Sequence, residues 1–529
     1  MQIIIPMSGF GERFKRAGYK IPKPLIEVEG KPIISHVIDM FPGEKNFIFI
    51  CNKEHLESTN MEKILKRYSK EGQIVAINPH KKGPVFAVNQ ALDYINDEES
   101  VIINYCDFSC YWDYKKYKSW IKDKKIDGSI PAYKGFHPHS LGKTNYAYMR
   151  ENNGKMIEIK EKEPFTNDRI NEYASSGTYH FAKGAYIKDY FPKLIKENIN
   201  INGEYYCSLV YNLMVKDNLD IGIYEIEHFM QWGTPEDLEE YISWSNIFKD
   251  LVKTKTKHKC AGTTIIPMAG YGSRFAKASY KVPKPFIEVS GLPMFVQSTR
   301  SLPRSEKYVF ISIENFVKEI KSNKFLSNNN INNDIISLTS TPQGQALTAL
   351  EGIDFCIPDQ PLTISACDHA VIYNKSEFDK LINISNFDLI IWTKKIHLPA
   401  IHNPEMYGWL KTKEGNVIDV SVKKAFKDSD LEYVIIGTFT FKNTKIFSNL
   451  VSSLISRKGL VNNEYYIDSL IKDALELKYT CKLFEVDQFI CWGTPNELRT
   501  FKYWQNCFRK WDSHPYKIEN DIFYSNFHI

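Results

Sequence analysis

One stretch of this chain occurs twice. Residues 3–30 read IIIPMSGFGERFKRAGYKIPKPLIEVEG, and residues 265–291 read IIPMAGYGSRFAKASYKVPKPFIEVSG. Arg274 follows Arg13 by 261 positions, and the same offset joins Lys23 to Lys284, Gly83 to Gly344, Asp107 to Asp368 and Lys162 to Lys423. It falls to 260 for Gly177 and Gly437, Glu204 and Glu464, and Trp232 and Trp492. A period this long, in a chain of 529 residues, reads as one duplicated domain and not as a solenoid of short units. The expected division is domain one at 1–250, a linker at 251–262, domain two at 263–509 and a tail at 510–529. The linker, LVKTKTKHKCAG, is polar and rich in lysine.

Within each copy, short apolar runs alternate with segments of helical spacing. Residues 3–7, 47–51, 73–77 and 101–105 read as strands; residues near 33–41, 53–69 and 84–95 read as helices. The second copy repeats the strands at 308–313, 334–338 and 361–366. This order predicts an open, largely parallel α/β sheet, which binds its ligands at the carboxyl ends of the strands.

Bulk properties exclude several classes. With 43% hydrophobic and 25% charged residues the chain has a globular profile. A net charge of +5, spread along the chain, argues against a nucleic-acid partner. No apolar run approaches the roughly 20 residues of a membrane span, and the N-terminus lacks the pattern of a signal peptide. The ten cysteines include no Cys-x-x-Cys pair, and Cys51, Cys106 and Cys367 sit inside apolar runs. Free buried thiols and a reducing cytoplasm are expected.

The repeated stretch has a chemical reading. Gly9 and Gly11 follow the first strand, as Gly270 and Gly272 follow its counterpart, and let the backbone N–H groups approach a phosphate. Arg13 and Arg274 add a bidentate fork. Lys23 and Lys284 each stand between two prolines, which aim the ammonium. The loop is neither a Walker A motif nor a full dinucleotide fingerprint.

Gly-x-Gly-x-Arg-Phe with Pro-Lys-Pro ten residues after the Arg resembles the sugar-phosphate nucleotidyltransferase, or NDP-sugar pyrophosphorylase, family. The resemblance covers both copies almost end to end and is nearest to a branch associated with capsule and surface-polysaccharide biosynthesis. It implies two tandem Rossmann-like nucleotidyltransferase domains, each a mixed, mostly parallel sheet flanked by helices. It also implies that the loop glycines and the turn at Gly83 and Gly344 bind the nucleoside triphosphate. Asp107 and Asp368 would bind Mg²⁺. In EIKEKEPF (158–165), Glu161 and Lys162 would meet the acceptor with Gly177, as would Lys423 and Gly437 in copy two. The substrates implied are a nucleoside triphosphate and a phosphorylated sugar or polyol, and a homo-oligomer is compatible with the reading. The acceptor phosphate, already anionic, attacks the α-phosphorus in line, so catalysis is positioning and charge neutralisation.

The pattern departs from the family in places. Where the family carries a second metal-binding Asp before Gly-Thr-Pro, the copies have Gln231-Trp232 and Cys491-Trp492. Copy two also replaces Glu161 by Val422 and Lys82 by Gln343. Two alternatives follow: copy two is a nucleotide-binding or regulatory module, or the chain is a glycosyltransferase. The latter would want an Asp-x-Asp motif, which Asp107-Phe108-Ser109 and Asp368-His369-Ala370 do not provide. Thr234-Pro235-Glu236-Asp237 reads as a helix capping box. His137-Pro138-His139 reads as a substrate-contacting or a plain loop, and Glu204-Tyr205-Tyr206 as pocket lining or a packed helix start.

Overall fold

Every residue of the strand Gln2–Met7 is buried in the computed structural model, which describes residues 1–254, 258–383, 386–395, 397–413, 416–426 and 433–524. A strand with three consecutive Ile followed by Pro and Met has no face to offer water, so it lies between covered neighbours. It pairs in parallel with Phe47–Asn52 on one side and Val101–Asn104 on the other. Gln73–Ile77 forms the parallel edge.

The chain divides into two units. The first comprises Met1–Ser245 with Asn506–Pro515, and the second Asn246–Gln505 with Tyr516–Ile529. In the first unit a ten-stranded sheet runs from Gln73–Ile77 through Phe47–Asn52, Gln2–Met7, Val101–Asn104, Thr178–Phe181, Gly128–Tyr133, Ile221–Glu225, Lys155–Glu161 and Ala147–Asn152 to Tyr173–Ser175. Thr178–Phe181 runs antiparallel to both its neighbours. The strands Ala147–Asn152 and Lys155–Glu161 form a hairpin whose turn, Asn153-Gly154, has positive φ at both residues, the geometry that two-residue hairpins favour. The sheet is therefore mixed, with Thr178–Phe181, Lys155–Glu161 and Tyr173–Ser175 running against the other seven strands. Four adjacent strands are parallel because helices cross between them; Ile221–Glu225, also reached through helices, is parallel to Gly128–Tyr133, and the tight turn of the hairpin gives antiparallel pairing.

The second unit has a nine-stranded sheet whose main path is Asn333–Leu338, Arg304–Ile313, Lys259–Pro267, Leu362–Ser365, Tyr433–Phe441, Leu389–Lys395 and Cys481–Glu485. These seven follow the same order as their counterparts in the first unit.

Three local expectations change. Residues 53–69 form two helices, Lys53–Ser58 and Met61–Tyr68, because Thr59 leaves helical geometry. The helix expected at 84–95 is Gly83–Asn89 followed by a 3₁₀ turn at Leu92–Tyr94. The segment 251–262 is helical to Lys253 and extended from Lys259, and residues 255–257 of the expected linker lie outside the described residues.

Residues 506–515 complete the core of the first unit. The Trp511 ring lies 5.3 Å from His36 and 6.1 Å from Trp232, and Phe508 lies 5.7 Å from Tyr241. His514 Nε2 is 3.2 Å from Ser245 Oγ. Among the described residues no helix is long and apolar enough to cross a membrane.

Candidate active site

The first strand ends at Met7, and the helix Glu12–Arg16 begins after Gly11, whose φ of 64° lies in the left-handed region. Gly272 repeats this geometry before Ser273–Lys277, with φ 62°. A side chain at either position would be strained, so the turn requires glycine. Gly9 and Gly270 border open space, since a Cβ there would meet nothing within 4 Å. Arg13 and Arg274 are exposed on the short helices that follow.

Lys23 opens a 3₁₀ turn after Pro22. Its Nζ donates to Asp107 Oδ2 at 2.7 Å, and the two side chains retain 21% and 27% exposure, so a ligand in solution can reach them. Burial pulls the ammonium pKa down, but Asp107 more than offsets this and holds it above its ordinary value. Lys284 and Asp368 repeat the pair. There burial pushes the carboxyl up, yet Lys284 and His369 hold it below the usual carboxylate range.

Asp107 meets the Gly-Thr-Pro turn. The strands Phe108–Tyr111 and His228–Gln231 pair antiparallel, and Trp232 N–H donates to the Asp107 carbonyl at 2.8 Å. An added Cβ at Gly233 would sit 3.2 Å from Asp107 Oδ2. Gly233 thus leaves the flank of that carboxylate open, and Gly493 does the same beside Asp368. Gln231, in the place of the family's second Asp, donates to Asp237 instead. Burial pushes Asp237 up to about 6, with a further contribution from Asp107. The Asp237 N–H also donates to its capping partner, Thr234 Oγ1, at 3.2 Å.

A second group of side chains lies at the end of the hairpin. Lys162 has φ 61° and Lys423 φ 58°, a region that non-glycine residues seldom adopt and that recurs at functional sites. Each N–H donates to a tyrosine carbonyl: Lys162 to Tyr146 at 2.8 Å and Lys423 to Tyr407 at 3.0 Å. Lys162 Nζ donates to Tyr206 Oη at 2.5 Å and lies 3.9 Å from Glu204. Ser208 Oγ donates to Glu161 Oε2 at 2.5 Å. Burial pushes the Glu161 carboxyl up to about 7, against the opposing pull of Ser208 and Lys162. The helix Cys207–Lys216 is fixed on this strand by Asn212, which bonds both the N–H and the carbonyl of Ile159.

The two groups share one region. The charge of Arg13 acts on Lys23 and on Tyr206, the partner of Lys162. In the second unit Arg274 acts on Tyr466, whose ring lies 5.5 Å from Lys423 Nζ. Gly83, expected to bind the nucleoside triphosphate, packs on this segment: at φ 82°, a Cβ would lie 2.7 Å from the Tyr205 carbonyl oxygen. Gly344 stands in the same relation to Tyr465. Gly177 adjoins Tyr105 and Phe108, and Gly437 adjoins Ala366 and His369.

Residues 2–221 match the family model described as nucleotidyl transferase. The first unit belongs to the nucleotidyltransferase family. Two curated relatives of this nucleotidyltransferase domain are named bifunctional protein GlmU. The one from Clostridioides difficile is 25% identical over 226 residues, 42% of this chain and 46% of the relative. The one from Alkaliphilus metalliredigens is 24% identical over 282 residues, 52% and 58% of the two. The chain thus spans about half the length of the curated relatives it matches. A solved nucleoside-diphosphate-sugar pyrophosphorylase from Vibrio cholerae RC9 is 21% identical, covering 46% of this chain and 99% of its own, with a TM-score of 0.38.

Sequence reasoning missed several residues around the candidate site. The sequence places Gly233 only in a turn, and folding makes it a neighbour of the Asp107 carboxylate. Tyr146 and Tyr407 carry no motif, and their role comes from hydrogen bonding to Lys162 and Lys423. Ser208 follows Glu204-Tyr205-Tyr206 by two residues, and only folding brings it to Glu161.

Proposed function

We propose that the first unit transfers a nucleoside monophosphate from a nucleoside triphosphate to a sugar phosphate or a related phosphorylated polyol. The acceptor phosphate oxygen forms a bond to the α-phosphorus, and the bond from that phosphorus to the β-phosphate bridging oxygen breaks. The electron pair leaves with pyrophosphate. No general base is required, because a phosphate monoester is anionic at neutral pH.

The observation that carries this reading is the electrostatic link from Arg13 to both Lys23 and the Lys162–Tyr206 pair, which puts cations for two polyanions in one region. In this reading the Gly9–Gly11 loop and Arg13 hold the triphosphate, and Lys23 neutralises the leaving pyrophosphate. Lys162 holds the acceptor phosphate against its repulsion by the triphosphate, while Glu161 accepts an acceptor hydroxyl. Gly83 and Gly344 shape the base pocket; Gly177 and Gly437 line the acceptor.

A divalent metal fits this set. Among the described residues no three His, Cys, Asp or Glu side chains form a cage, but Mg²⁺ is commonly held by one or two carboxylates with substrate phosphates and water. Asp107 and Asp368, each with an open flank beside a glycine, would hold it, and bound there it supplies neutralisation of phosphate charge.

The chain in this reading is a tandem duplication, with residues 1–250 and 263–509 as the copies. The product class, an activated sugar or polyol, is what capsule and surface-polysaccharide assembly consumes; the sequence resemblance supports that placement. A cytoplasmic setting is supported by the ten free cysteines.

The test is pyrophosphate release by the full chain with each common triphosphate and a panel of aldose 1-phosphates and polyol phosphates. Arg13→Ala with Lys23→Ala silences the first unit; Arg274→Ala with Lys284→Ala silences the second. No release with any pair would overturn the transferase reading.

A further inference from the structure

Three differences between the units occur at one place. Glu161 of the first unit corresponds to Val422 of the second, Ser208 to Asp468 and Ala147 to Gly408. In the first unit Glu161 and Ala147 face each other across the hairpin, and Ser208 bonds Glu161 at 2.5 Å. In the second unit Val422 and Gly408 face each other in the same register. A Cβ at Gly408 would lie 2.3 Å from Asp468 Oδ2. The carboxylate has therefore moved across the pocket, from the end of the strand to the 3₁₀ turn Ile467–Ser469, and the methyl that would block it is gone.

An abandoned pocket would lose its acid and close over with apolar side chains. Here the acid is lost at one position and regained at its contact partner, with the clearance it needs supplied by a third change. Asp468 is only partly exposed and accepts no hydrogen bond from another residue among those described, while the Lys423 charge acts on it. Apart from its own backbone N–H, the partly buried carboxylate keeps acceptor capacity to spare, and a ligand hydroxyl would supply a further donor.

We propose that Asp468 is the acceptor-binding carboxylate of the second unit, and that this unit receives its own phosphorylated polyhydroxyl acceptor, distinct from that of the first. This rests on the transferase reading above. The acceptor phosphate meets Lys423, as in the first unit it meets Lys162. The acceptor hydroxyl is read from the helix side by Asp468, and Val422 offers an apolar wall where Glu161 stands in the first unit. The two acceptors accordingly differ in which side of the carbon chain carries the recognised hydroxyl.

The full chain with Lys23→Ala and Lys162→Ala isolates the second unit. Pyrophosphate release with the phosphate-ester panel, and calorimetric binding of the same esters, are then measured for this chain and with Asp468→Asn added. The expected result is at least one ester used or bound, with Asp468→Asn raising its KM or Kd at least tenfold and leaving the triphosphate KM unchanged. Replacing all three positions with the set of the first unit (Gly408→Ala, Val422→Glu, Asp468→Ser) should move the preference toward the first unit's acceptor. Unchanged acceptor constants in Asp468→Asn would overturn the proposal. So would a second unit that neither binds nor uses any ester while the first turns over. Silence of both units with every pair overturns the transferase reading, and this inference with it.

Discussion

Lys23 Nζ lies 2.7 Å from Asp107 Oδ2, so the cation assigned to the triphosphate and the carboxylate assigned to the metal neutralise each other in the free protein. Substrate and metal must share or divide this pair. Lys23→Ala is expected to lower kcat/KM by about 10²–10³-fold, the usual effect of removing one preorganised charge. Asp107→Asn should lower activity comparably and shift the Mg²⁺ dependence to higher concentration. Steady-state pyrophosphate release against Mg²⁺ concentration, with the second unit silenced, checks both; retention of the original Mg²⁺ profile in Asp107→Asn would remove Asp107 from the metal site.

Glu161 predicts a pH dependence. Burial raises its carboxyl to about 7 in the folded chain, from about 4.3 when unfolded. The native state therefore binds this proton more tightly than the unfolded state. The contribution to stability is complete below about pH 4.3 and is lost as pH rises through about 7. Glu161→Gln removes this dependence, so its stability relative to the parent should increase between those values, as read by urea denaturation at several pH values. Because the ionised form accepts the acceptor hydroxyl, the acceptor KM of the first unit should fall by up to about tenfold per pH unit as pH rises toward 7, and Glu161→Gln should flatten that profile.

Gly83 cannot carry a side chain. Its φ is 82° and a Cβ would lie 2.7 Å from the Tyr205 carbonyl oxygen. Gly83→Ala should destabilise the first unit by about 1–3 kcal/mol. It should also raise the acceptor KM, since Glu204 and Tyr206 flank the displaced residue. Thermal denaturation and acceptor kinetics measure the two effects; a Tm unchanged by the substitution would show that the close approach is not present in solution.

Trp511 is 8% exposed and packs on His36, Trp232 and Tyr241 in the first unit. Trp511→Ala should cost about 3–5 kcal/mol of that unit's stability. A chain cut after residue 505 should lose first-unit activity even though the matched residues 2–221 are all retained. Amide exchange localised to residues near Trp232 distinguishes this from a general loss of structure. Isolating the copies by truncation is therefore a poor route to assigning their activities, and point variants in the full chain are the proper one.

The family and the order of the elements were legible in sequence because they rest on local chemistry. An apolar run running into Gly-x-Gly, or a lysine held between prolines, dictates strand, turn and side-chain direction from neighbours alone, and the buried strand Gln2–Met7 and the left-handed Gly11 follow from it. The second occurrence of the stretch made the long period visible. Other features depend on residues far apart in the chain. The sheet is mixed because Thr178–Phe181 inserts antiparallel between Val101–Asn104 and Gly128–Tyr133, and composition does not reveal which neighbour each strand meets. Asp107 gains its open flank from Gly233, and Gly83 is required by the backbone of Tyr205. Read along the chain, the change of Glu161 to Val422 is a lost acid. Only tertiary structure, by bringing Ser208 and its counterpart Asp468 to that place, turns the loss into a relocation, because a hydrogen bond or a steric clearance is a property of distances in space.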